Sequence, residues 1–213
     1  MSLIANNNEL GAFWWDDDVF EMVVMDDGKT HLHHRDSHKG DIFKPKGIED
    51  MSYLFYGNDL TGCQLRDFYT GCVKNMSHLF EKCVIPDDLY LGQYFETTMC
   101  EDMSYMFADT AIPKSFTLGD KFSTDKVVNM SKMFYNTIIE GGFTLGKHFT
   151  TENVKQAVSM FEGCQLPASF TLGDEFYISS EADTKDMFVN CMHGDAPIAT
   201  VNAYTLRRIV ILD

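Results

Sequence analysis

The chain has 213 residues, 45% of them hydrophobic and 13% aromatic, which is enough for one domain with a real core and too apolar for a disordered segment. Its 32 acidic residues against 17 basic ones leave a formal charge of −15, so its surface repels nucleic acid and anionic lipid, and neither is an expected partner. No stretch approaches the roughly 18–20 unbroken apolar residues of a membrane span, and Met1 to Glu9 has neither the basic start nor the apolar middle of a signal peptide.

Residues 1–47 lie outside any repeat. Val19 to Met25 alternates weakly, Asp26-Asp27-Gly28 reads as a hairpin turn, and Thr30 to His34 as the returning strand. The returning strand carries the one cluster with metal-binding chemistry: His31, His33, His34, Asp36 and His38. A strand puts His31 and His33 on one face and His34 on the other, whereas a closed site takes three or four ligands. The hairpin is therefore expected to be polar and exposed, with no metal. Phe13, Trp14 and Trp15 are expected to cover the first repeat, because a solenoid's terminal unit exposes its core. An exposed tryptophan recognition patch is the alternative.

From residue 48 a short pattern recurs: Met51 to Phe55, Met76 to Phe80, Met103 to Phe107 and Met130 to Phe134, then the degenerate Ala157 to Phe161 and Thr184 to Phe188. The closing phenylalanines are 25, 27, 27, 27 and 27 residues apart. A fixed period of this length marks a stacked solenoid, in which each unit buries its apolar side against its neighbours. Val127, Met130, Met133 and Phe134 fall at steps of three and four, which predicts a short helix. Thr98 with Glu101 resembles a capping box. Pro86, Pro113 and Pro167 share the next column and stop the helix, with Glu140 taking their place once. A second motif follows: Leu89 to Phe95, Phe116 to Phe122, Phe143 to Phe149 and Phe170 to Phe176, with residues 64–68 as a shortened version. Phe116 and Leu118 alternate with Thr117, which predicts a strand with one buried face, and Gly92, Gly119, Gly146 and Gly173 turn the chain out of it.

The expected fold class is therefore α/β: a leucine-rich-repeat-like solenoid of about six short helix–turn–strand repeats of 25–27 residues, with a parallel sheet on one side. The columns Ile85, Ile112, Ile139, Leu166 and Leu91, Leu118, Leu145, Leu172 would run through its core. Ala199 to Asp213, with Val201, Leu206, Ile209, Val210 and Ile211, would close the far end. No linker interrupts the chain, so 1–213 reads as one domain: an N-terminal cap over 1–47, the solenoid over 48–197 and a C-terminal cap over 198–213.

The cysteines follow the repeat register. Cys83, Cys164 and Cys191 stand where other repeats place Thr110 and Thr137, and Cys100 takes the column of Val73, Val127 and Val154. A residue exchangeable with Thr or Val acts as a small packed side chain, so structural thiols are expected rather than disulfides or metal ligands. No nucleophile elbow is present, and Gly141-Gly142 precedes a strand, not the helix a phosphate loop needs. The carboxylate runs at Asp16 to Asp18 and Asp87-Asp88 are surface runs, and His78 and His148 occupy variable, solvent-facing positions. No catalytic residue and no cofactor are assigned.

The run Val127 to Phe134, with variants at Val73 to Phe80 and Cys100 to Phe107, resembles the BspA-like leucine-rich-repeat surface proteins of bacteria. It is more similar still to the Met–Phe repeat family of unknown function found in mycoplasma-type surface proteins. The resemblance covers roughly residues 48–191 and implies adhesion or recognition at a cell surface or as a secreted protein, a cytoplasmic location being the alternative. The expected function is thus a non-enzymatic recognition module for a protein or glycan partner. A structural subunit of a repeat-built layer is the runner-up, and a metal-assisted hydrolase acting through the histidine hairpin is third. The expected binding face is the outward row Tyr90, Thr117, Thr144 and Thr171, flanked by Asp88, Ser115, Gly142 and Ser169: small, polar and nearly uncharged on an acidic protein. The same threonines would also stabilise a sheet on their own account.

Overall fold

A computed structural model describes residues 20–24, 30–34, 48–63, 65, 68–173 and 176–198, the first two stretches as backbone. Strands β1 (Phe20–Val24) and β2 (Thr30–His34) form the expected antiparallel hairpin, Phe20 opposite His34 and Val24 opposite Thr30. The turn at 26–28, the side chains of the histidine cluster, the Phe13-Trp14-Trp15 run and the segment 199–213 lie outside the described residues.

Residues 48–198 wind into stacked coils, but the coil differs from the expected unit in two ways. First, no helix occurs among the described residues, and each Met–Phe segment is instead a run of tight turns. In the segment at Met130, the N–H groups of Met133, Tyr135 and Thr137 donate to the carbonyls of Met130, Lys132 and Phe134, each 3.1 Å away. The residues that alternate with them, Lys132, Phe134 and Asn136, donate instead to Val158, Met160 and Glu162 of the next coil, at 2.8–2.9 Å. Lys132 and Asn136 hold φ of 56° and 51°, the positive third-position angle of type II turns. An α-helix would spend every N–H inside its own segment. The alternating turns leave half of them to join one coil to the next. A chain that turns back every three residues also returns apolar side chains to one face, so helical spacing does not separate the two structures. The capping-box reading of Thr98 and Glu101 falls with the helix: the Thr97 carbonyl there accepts the Cys100 N–H in a turn.

Second, the strands are displaced. Strands β3 (Ala111–Ile112), β4 (Ile138–Ile139), β5 (Gln165–Leu166) and β6 (Met192–His193) follow directly on the Met–Phe turns and pair in parallel, and β7 (Ala196–Pro197) returns antiparallel to β6. Isolated parallel bridges extend the row back through Val84 to Asp59. The parallel sheet is thus present, built on the isoleucine column: Ile112 and Ile139 point in, and Ala111 and Ile138 point out. The Phe-Thr-Leu-Gly segments are not strands. A turn at Pro113 (Phe116 N–H to the Pro113 carbonyl, 3.1 Å) and another at Gly119 leave only Thr117 and Leu118 between them. They still alternate, Phe116 and Leu118 buried and Thr117 exposed, because alternation needs only an extended backbone and not a paired one. Glu140 opens the same turn as the prolines, accepting the Phe143 N–H.

Ring stacks run through the core. Phe55, Phe80, Phe107, Phe134, Phe161 and Phe188 stack at centroid distances of 5.2–5.7 Å and are almost parallel. On the Phe-Thr-Leu-Gly side the spacing widens to 6.4 Å, as between Phe116 and Phe143 and between Phe122 and Phe149. Small polar side chains tie the coils beside these stacks. Thr110 and Thr137 donate their hydroxyls to the Phe80 and Phe107 carbonyls at 2.8 and 2.7 Å, and Cys83 and Cys164 donate their thiols to the matching carbonyls of Phe55 and Phe134. Thr and Cys are exchangeable in this column because both place one donor against one buried carbonyl. Asn75 and Asn129 donate to the carboxylates of Asp50 and Asp102 one coil back, at 3.1 and 3.0 Å.

Candidate groove on the Phe-Thr-Leu-Gly side

All seven residues expected to form the binding face are exposed: Asp88, Tyr90, Ser115, Thr117, Thr144, Ser169 and Thr171. They do not lie on the parallel sheet, whose outward column is Val84, Ala111, Ile138 and Gln165, but on the neighbouring side of the coil. Tyr90, Thr117 and Thr144 meet there around a groove of about 540 Å³. Asp88, Ser115, Ser169 and Thr171 lie outside its lining. Ser115 is already engaged, its hydroxyl 2.7 Å from the Asp87 carbonyl and 2.6 Å from its carboxylate. Gln93, Asp120 and Lys121, absent from the sequence expectation, complete the polar lining, and the buried Phe95 and Leu118 close the floor. These three follow the glycine of each Leu-Gly-x-x-Phe, and that glycine is the one available signal. Gly119 and Gly146 hold φ of 81° and 85° with open space where a Cβ would sit, so they turn the chain at the groove wall. Lys121 also faces Glu96 at 3.7 Å, beside a smaller cavity of about 390 Å³ where Tyr69 and Tyr94 stack.

The turn side carries an arrangement the sequence did not suggest. His78, read as solvent-facing, is half-buried between Tyr53 and Tyr105, with ring centroids 4.2 and 4.5 Å away, and its Nδ1 meets the Glu81 carboxylate. Lys132 continues the row, 5.3 Å from the Tyr105 ring and 4.9 Å from that of Tyr135, and the Tyr105 hydroxyl holds its ammonium above the ordinary lysine value. Positions that vary among Tyr, His and Lys are thus exchangeable because each can stack on its neighbour one coil away. His148 is exposed, as expected.

Among the described residues no group of three or more His, Cys, Asp or Glu side chains is placed to hold a metal ion, and no helix is long and apolar enough to cross a membrane. No disulfide joins the described cysteines. Burial pushes the Cys83 and Cys164 thiols well up and Cys100 up to about 12, which keeps them protonated and poor nucleophiles. One protein family matches the chain, described as Mycoplasma protein of unknown function, DUF285, over residues 21–139 and again over residues 93–201. No curated protein and no solved structure matches it.

Proposed function

Because the chain belongs to the DUF285 family of Mycoplasma proteins of unknown function, whose description carries no activity, we propose from its surface that it is a non-enzymatic recognition module presenting the Phe-Thr-Leu-Gly side to a protein or glycan partner. The observation that carries this reading is the groove at Tyr90, Thr117 and Thr144: concave, with an apolar floor, and ringed by the exposed side chains of these three residues, Asp120 and Lys121. Solenoids present such repeated surfaces to partners. The test is retention on immobilised protein of components from host cells and their surroundings, with Thr117→Arg and Thr144→Arg as controls. Retention lost in both variants, with unchanged thermal unfolding, supports the reading. Retention indifferent to both overturns it.

A second reading, an assembly subunit, is favoured by the sheet's outward column, where Val84 and Ile138 are 57% and 45% exposed. Sedimentation across a concentration series tests it: association weakened by Ile138→Glu would support assembly, and a monomer at all concentrations would remove it.

A further inference from the structure

We infer that the groove takes a neutral oligosaccharide laid along the stack, across successive coils; this rests on the recognition reading above and names its ligand class. The first ground is the backbone. Among the described residues, the N–H and carbonyl groups of Thr117, Leu118, Thr144 and Leu145 make no hydrogen bond, although Leu118 and Leu145 are each only 3% exposed. Elsewhere in the coil such groups join each turn to the next. Backbone donors and acceptors in buried residues are paired in nearly every native structure, with protein, water or ligand. Here they recur on two successive coils, and the groove opens on them at the exposed Thr117 and Thr144, as hydrogen-bonding groups with the solenoid's own repeat. A polymer of hydroxyl-bearing rings offers a matching row.

The second ground is charge. Tyr90, Gln93, Thr117 and Thr144 are neutral, and the one acid and one base in the lining, Asp120 and Lys121, bring its formal charge to zero, with Lys121 also facing Glu96. On a protein of charge −15 this neutral stretch selects neither a cation nor an anion. The Thr hydroxyl and the Gln amide both donate and accept, which suits hydroxyls that do the same. The third ground is Tyr90, which is 61% exposed beside the groove and presents an aromatic body with a polar tip to the C–H face of a sugar ring. An extended peptide fits less well. It is held by a continuous strand edge, and here the turns at Pro113 and Gly119 interrupt the extended segment. The volume, about 540 Å³, lies within the roughly 300–1,000 Å³ usual for small-ligand sites.

The experiment is calorimetric titration of the full chain with neutral hexasaccharides of glucose, mannose, galactose and N-acetylglucosamine, each to millimolar concentration. At least one should bind saturably. Tyr90→Ala and Thr117→Arg should each weaken it tenfold or more without lowering the melting temperature, Thr117→Ser should restore it, and Tyr105→Ala on the turn side should leave it unchanged. Absence of binding by all four sugars overturns the inference, as does binding that Thr117→Arg leaves intact. If the sugars fail while a retained protein partner is lost in Thr117→Arg, the recognition reading survives and the ligand class is wrong. If partner retention also ignores Thr117→Arg, both fall.

Discussion

Replacing Phe134 with alanine tests the stack at its middle. Phe134 is fully buried and lies between Phe107 and Phe161, at 5.7 and 5.2 Å with interplanar angles of 7° and 8°. Truncating a buried phenylalanine costs about 3–5 kcal/mol through lost transfer energy and the cavity left behind. Each ring pair contributes about 0.5–1.5 kcal/mol of its own. Phe134 forfeits two such pairs in this column, whereas Phe188, in the last repeat, has one, with Phe161 at 5.3 Å. Phe134→Ala should therefore cost about 4–5 kcal/mol and Phe188→Ala about 1 kcal/mol less. Against a typical total stability of about 5–15 kcal/mol, the first variant sits near the edge of folding. Urea unfolding followed by circular dichroism, extrapolated linearly to water, measures both. Losses below about 1 kcal/mol in both variants would show that the ring column does not hold the coils together, and an equal loss in both would remove the nearest-neighbour account.

Thr137→Val deletes the hydroxyl that pairs the buried Phe107 carbonyl and should cost about 1–2 kcal/mol by the same urea assay, whereas Cys164→Thr, which keeps a donor against the Phe134 carbonyl, should stay within about 1 kcal/mol of wild type. Gly146→Ala meets no steric obstacle but holds φ at 85°, so it should lose about 1–2 kcal/mol through the left-handed backbone alone, and a neutral result in thermal unfolding would contradict the turn geometry. The buried thiols also predict a pH dependence. Cys83, Cys100 and Cys164 have folded pKa values above their unfolded value of about 8.5, so the unfolded chain releases its protons first and stability falls as pH rises beyond that value towards the folded pKa values. The urea midpoint should drop between about pH 8 and 10, and a Cys83→Thr, Cys100→Val, Cys164→Thr variant should drop less; an identical slope in both proteins would refute the thiol contribution.

The face around Tyr90, Thr117 and Thr144 was legible in part. Alternation of Phe116, Thr117 and Leu118 told which side chains point outward, and the outward ones are exposed. Gln93, Asp120 and Lys121 were missed because nothing in a Leu-Gly-x-x-Phe pattern says that the turn after the glycine folds back along the groove. The row Tyr53, His78, Tyr105 and Lys132 was missed for a related reason. Variation between repeats looks like the absence of constraint, yet stacking accepts any flat or cationic group.

The amino-acid sequence by itself determined the period, the inward columns and the hairpin, because all three depend on where apolar side chains recur along one chain. It also determined that cysteine and threonine are equivalent after each motif phenylalanine. What only the tertiary structure decided was where the backbone hydrogen bonds go. The Met–Phe segment has helical spacing, but half of its N–H groups reach the next coil, 24 or more residues away, as from Phe134 to Met160. The Phe-Thr-Leu segment has strand spacing, but it pairs with nothing because the turns at Pro113 and Gly119 leave only Thr117 and Leu118 between them. Side-chain periodicity reports which face is buried. Helix, turn or strand is settled by the partner of each N–H and carbonyl, and in a stacked coil half of those partners belong to another repeat.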